Sequence, residues 1–193
     1  MTFKENLDKS ELNEYPVSGF SGEIVMVDNL SKLRNCVERL KSASLLGFDT
    51  ETKPSFKKGR NNSVALLQLS DHRTAYLFRL NSIGLPGEIA ELLADQSIIK
   101  AGVAISDDIA GLKKWRRFND EGFVELQDYV KEFGIESSGL KKLSAIILGF
   151  RISKRQQVSN WEAPVLSDAQ LSYAATDAWV CYEIYRTLKH KKD

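Results

Sequence analysis

A chain of 193 residues, 42% hydrophobic and 27% charged, has the length and composition of one soluble domain with a full core. Its net charge of +1 excludes nucleic-acid binding through bulk charge, so any such contact must come from local basic clusters. Two cysteines in apolar helical contexts, short apolar runs and an N-terminus without a signal-peptide core speak against disulfides, structural zinc and a membrane partner, and point to the cytoplasm.

Residues 1–21 read as a polar, patternless arm ahead of a single domain at 22–193. GEIVMVDN (22–29) reads as a strand, and Ser31 as the cap of a helix carrying Leu33, Val37 and Leu40 at helical spacing. SLLGFDTE (44–51) is a second strand, followed by a basic loop with Pro and Gly at 52–62. SVALLQLSD (63–71) and TAYLFRL (74–80) read as a hairpin through Asp71-His72-Arg73. A helix around 86–95 and a short strand at 98–105 come next, and Ser106 opens a helix over 107–118. FVELQDYVKEFG (123–134) holds a short strand and a helix, 139–150 is helical, and 151–166 is loop. The last helix begins at Ser167 with Gln170 three residues on, a capping box. Early strands with hairpin character, then strands alternating with helices, predict one α/β domain around a mixed sheet.

Four carboxylates are candidates for chemistry, and Tyr173, seen alone a half-buried packing residue, lies beside one of them. Asp49 and Glu51 end an oily strand on the same face, where two carboxylates repel unless a positive charge lies between them. Asp108 shares a helix face with Leu112 and Trp115, whereas Asp107 falls on another face and serves the positive end of the helix dipole. Tyr173 and Asp177 are four apart on the last helix, beside Ala174, Ala175 and Ala178, which allow close approach to a sheet. Acids from three separate elements, without His or Cys, suit Mg²⁺ or Mn²⁺. Two such ions about 3.5–4 Å apart suit phosphodiester hydrolysis.

FDTE, KAGVAISDD and SNWEAPVLSDAQLSYAATDA together resemble the DEDD-type 3′–5′ exonucleases of the tyrosine subgroup, over roughly residues 22–190. The resemblance implies a ribonuclease-H-like fold with a mixed central sheet flanked by helices. It also implies a 3′–5′ exonuclease releasing nucleoside 5′-monophosphates from single-stranded or frayed DNA or RNA 3′ ends. Asp49, Glu51 and Asp177 would hold one metal ion, Asp49 would bridge to a second, Asp108 would act through bound water, and Tyr173 would orient the attacking water. One local departure is Asp107, where the family often has glycine ahead of its second-motif aspartate.

The loop after FDTE leaves the strand end beside the acids, so Thr50, Phe56, Lys57, Lys58 and Arg60 are candidate substrate contacts, with Trp161 of SNW as a base-stacking or core residue. His72 and His190 lack a nucleophilic partner pattern, and the glycines form no phosphate-cradling motif. The length leaves no room for further nucleic-acid-binding domains, which points to low processivity or to a protein partner that supplies it. The rival reading is a module on the same fold that grips a 3′ end or a protein without cutting.

Overall fold

Strands β3 (Val64–Ser70) and β4 (Thr74–Arg79) are buried at every position, as mostly apolar runs require of strands covered on both faces. They form the expected hairpin, with the Asp71 carboxylate accepting from the N–H groups of Arg73 and Thr74 at the turn. In the computed structural model, which describes residues 3–55 and 62–192, this hairpin sits inside a six-stranded mixed sheet. The sheet order is β1-β4-β3-β2-β5-β6, with β1 at Glu23–Val27, β2 at Leu45–Thr52, β5 at Ile99–Gly102 and β6 at Phe123–Glu125. β3 runs antiparallel to both neighbours, and the other pairs are parallel.

Helices cover both faces. On one, α2 (Leu30–Lys41), α4 (Gly87–Ala94) and α5 (Ser106–Trp115) bury Leu33, Val37, Ile89, Leu93 and Leu112 against Leu46 and Phe48 of β2. A short α3 (Leu80–Ile83) leads from β4 towards them. The other face is crossed by α8 (Asp168–Lys192), with α7 (Leu140–Leu148) beside it and α6 (Leu126–Tyr129) continuing into a 3₁₀ turn at Val130–Phe133. Gly47 lets α8 lie flush on β2: a Cβ there would stand 1.8 Å from the Ala178 carbonyl oxygen. The predicted capping box starts α8, with the Ser167 hydroxyl accepting from Gln170 N–H and the Gln170 amide oxygen accepting from Ser167 N–H.

Three local expectations need correction. α2 is capped by Asn29, whose side chain accepts from Lys32 N–H, and the Ser31 hydroxyl donates to that same Asn29 oxygen. α5 ends at Trp115 rather than at 118. Residues 3–21 are not patternless: α1 (Lys9–Glu14) starts with a full capping box between Asp8 and Glu11 and buries Leu12, with Leu7, against Ala145. Beyond α1 the chain is tied down by a bridge between Val17 and Arg151, and by Phe20 N–H donating to Thr176 Oγ1. The D-x-x-E cap was present in the sequence; the apolar residues it serves are too few to show a period.

Candidate metal centre

β2 ends in a bulge between Glu51 and Thr52, just beyond the two acids it presents towards α8. Asp177, buried in the middle of α8, faces them because the small residues around it bring the helix close to the strand. Carboxylate oxygens of Asp49, Glu51 and Asp177 all lie within 4.8 Å of one another. Burial raises the proton affinity of each. Mutual repulsion adds to this, carrying Asp49 well above the usual carboxylate range and Glu51 up to about 10. Asp177 Oδ1 is buried with no hydrogen-bond partner, an acceptor that a cation would satisfy.

A cation already leans on this cluster. Lys154 Nζ donates to Asp177 Oδ2 at 3.3 Å, lies 5.7 Å from the centre of the Tyr173 ring, and lowers the proton affinity of all three acids. The sequence reads 151–166 only as loop, because nothing in RISKR (151–155) shows that the segment folds back over α8.

Asp108 approaches from the opposite side of β2. It is half-buried at the start of α5 and accepts a hydrogen bond from the Thr50 hydroxyl, while Asp107 beside it is exposed. Burial raises the Asp108 pKa and the Thr50 hydrogen bond opposes the rise. The helix-phase reading that separated the two aspartates agrees with this arrangement, although Trp115 at the end of the stripe is partly exposed and its Nε1 donates to Val64 O at 3.0 Å. Thr50, read as a substrate contact, has its hydroxyl engaged by Asp108. The turn that delivers Asp108 holds Ala104 in the left-handed region, φ 58°, and the Glu125 carboxylate clamps it by accepting from the N–H groups of Ala104 and Ile105. Glu125 therefore positions Asp108, a role its sequence context does not reveal.

Tyr173 stacks one turn before Asp177, and burial together with the neighbouring carboxylates pushes its phenol pKa up, so it stays a proton donor. Behind it lies Trp161, fully buried with Ala65, Leu66, Leu77 and Ala174, its ring centre 6.0 Å from that of Tyr173. A base cannot stack on a ring enclosed in this way, so the stacking reading of Trp161 is corrected to packing behind Tyr173. Gln68 was not singled out in the sequence. It is fully buried directly across from Asp49, on the same face, and neither amide atom has a partner. Phe56, Lys57, Lys58 and Arg60 lie outside the described residues.

Residues 24–193 match the 3′–5′ exonuclease domain family. Exonuclease 3′–5′ domain-containing protein 2 of Drosophila melanogaster is 38% identical over 163 residues, covering 82% of this chain and 27% of that protein. The bifunctional 3′–5′ exonuclease/ATP-dependent helicase WRN of Mus musculus is 34% identical over 206 residues, covering 98% of this chain and 14% of that protein. The chain thus spans well under half the length of these two relatives. Among solved structures, the Nibbler EXO domain of Aedes aegypti superposes with a TM-score of 0.78 at 25% identity, covering 91% of this chain and 94% of that one. Escherichia coli RNase D shares the fold, with a TM-score of 0.78 at 21% identity over 88% of this chain and 45% of that one. A mixed sheet flanked by helices, carboxylates gathered at the end of its central strand, and a family match over most of its length place the chain in the 3′–5′ exonuclease domain family.

Proposed function

We propose that this chain is a metal-dependent exonuclease that removes nucleoside 5′-monophosphates one at a time from single-stranded or frayed 3′ ends. The observation that carries the reading is the convergence of Asp49, Glu51 and Asp177 within 4.8 Å, Asp49 half-buried and the other two buried, with Asp177 Oδ1 unpartnered. Three like-charged groups packed this closely, with Asp108 on the far side of Thr50, suit divalent cations, and an all-oxygen donor set fits Mg²⁺ or Mn²⁺. Asp49, Glu51 and Asp177 would hold one ion, and Asp49 would share a second with Asp108, which would act through bound water. Bound there, the ions supply Lewis-acid polarisation of the scissile phosphate and stabilise the charge that builds on it.

The chain's own residues do the rest. The Tyr173 hydroxyl, kept protonated by burial and by its acidic neighbours, holds the attacking water in line with the terminal phosphodiester. Thr50 and Glu125 fix the position of Asp108. Lys154 neutralises the acids and faces the phosphate that replaces them as its partner. RNA is a candidate substrate because RNase D of Trypanosoma brucei, which has this fold with a TM-score of 0.80 at 20% identity, was solved in complex with RNA U12. DNA remains the parallel candidate, since phosphate contacts alone do not distinguish the two.

The test is incubation of 5′-labelled RNA and DNA oligonucleotides side by side with Mg²⁺, Mn²⁺ or EDTA. A ladder shortening from the 3′ end only in the metal lanes is expected. Metal-independent binding with no shortening of either strand would overturn the reading in favour of a non-cleaving end-binding module.

A further inference from the structure

α8 has a second concave flank beside the carboxylates. A cavity of about 420 Å³ lies there between residues 17–19 of the N-terminal segment, residues 153–156 of the following loop, and α8 itself. Its α8 wall is Ala169, Ser172, Tyr173 and Thr176, one stripe at helical spacing. Tyr173 thus lines the cavity while its hydroxyl feels the acid cluster, and Lys154 sits between two residues that also line it, Ser153 and Arg155. The cavity exists because the N-terminal segment is pinned twice: Ser18 N–H donates to Arg151 O at 3.1 Å, and Phe20 N–H donates to Thr176 Oγ1 at 3.0 Å.

The lining is amphipathic in the way a nucleotide is. Val17, 57% exposed, and Ala169 offer apolar surface, while Ser18, Ser172 and Arg155 offer donors. The Arg155 guanidinium makes no ion pair among the described residues. The volume lies in the range of about 300–1,000 Å³ typical of small-ligand sites, enough for one nucleotide. Val17, Ser153, Arg155, Ala169 and Ser172 are all exposed, so the cavity is open-sided. A strand that continues into solvent needs such an exit, and a terminal nucleotide does not.

We propose that this cavity holds the nucleotide on the 5′ side of the scissile phosphate, with its base against Val17 and Ala169 and its phosphate on Arg155. The proposal rests on the exonuclease reading above and makes the N-terminal segment part of the substrate track. Two variants test it, Ala169→Trp, which fills the cavity from the exposed first turn of α8, and Arg155→Glu, which reverses its charge. Both positions are exposed, and a thermal melt checks that the fold persists. Two substrates are compared in Mn²⁺: a single-stranded hexanucleotide, and the 5′-p-nitrophenyl ester of thymidine monophosphate. In the ester, hydrolysis breaks the bond from phosphorus to the nitrophenyl oxygen; nitrophenol leaves in place of the next nucleotide's 3′ oxygen, and the ester carries neither the base that would lie against Val17 and Ala169 nor the phosphate that would meet Arg155.

The KM for the hexanucleotide should rise about tenfold in each variant, the scale of one lost base or phosphate contact. Its kcat, turnover of the ester and half-saturation by Mn²⁺ should all stay put. An unchanged hexanucleotide KM in both variants, or an equal loss on both substrates, would overturn the proposal. Fluorescence anisotropy of a labelled hexanucleotide in EDTA reads the cavity without any cleavage. If the unaltered protein cuts neither substrate yet both variants still bind the strand about tenfold more weakly, the exonuclease reading falls and the cavity stands. Equal affinity of all three proteins removes the cavity.

Discussion

Replacing Lys154 with methionine keeps most of the side chain's bulk and removes the cation that holds down the proton affinity of Asp49, Glu51 and Asp177. The ammonium stands 3.3 Å from Asp177 Oδ2. At that separation two unit charges attract by about 1.3 kcal/mol in water and about 5 kcal/mol at an effective dielectric constant of 20. The Lys154 side chain is 34% exposed, so solvent screening puts the working value near the lower figure, about 1.4 kcal/mol. A divalent cation must displace this pair before it can settle among the carboxylates. Lys154→Met should therefore bind Mn²⁺ about tenfold more tightly, the equivalent of that energy. The same change strips the buried Asp177 of its counter-charge, so the variant should melt lower in EDTA. Calorimetric Mn²⁺ titration and thermal melts in EDTA and in Mn²⁺ measure both effects. Weaker or unaltered Mn²⁺ binding would refute the idea that the ammonium competes for the cation's place.

Asp49→Asn and Glu51→Gln should each nearly abolish cleavage, read on a labelled oligonucleotide at saturating Mn²⁺, while melting higher than the unaltered protein in EDTA because folding no longer has to crowd the acids or hold them protonated. In EDTA the native protein keeps a proton on Glu51 that the unfolded chain releases, so stability should fall as pH climbs from 4.5 towards 10, and Glu51→Gln should flatten that slope in a pH series of melts. Asp108→Asn should slow cleavage far more than Asp107→Asn, since only Asp108 is half-buried and bonded to Thr50; reversed rates would mean that α5 presents the other acid. Tyr173→Phe should slow single-turnover cleavage by roughly 10²–10⁴-fold with Mn²⁺ affinity unchanged, and an unaltered rate would reduce Tyr173 to a packing residue.

The acids were legible in the sequence because each sits on a regular element. Alternation along β2 puts Asp49 and Glu51 on one face, the helical period separates Asp108 from Asp107, and i, i+4 spacing stacks Tyr173 on Asp177. The mixed sheet followed from the same periodicities. What escaped lies in segments without a period. Lys154 reaches the acids from an irregular loop, Glu125 clamps a turn through backbone N–H groups, and residues 3–21 dock through a cap and two leucines. Trp161 was open to two readings because an indole in a loop carries no sign of burial until the chain around it closes.

Gly47 touches none of the groups that would meet a metal ion or a strand, yet it gauges the opening between them. With no side chain, it lets α8 rest on the backbone of β2, where an added Cβ would fall 1.8 Å from Ala178 O and 2.7 Å from Tyr182 N. Ala178 directly follows Asp177, and Gly47 lies two residues before Asp49. Even a methyl group at position 47 would wedge helix from strand beneath the acids, tilting Asp177 away while each carboxylate kept its place on its own element. The bite of the centre is thus machined into the layer below it, by an atom that is not there.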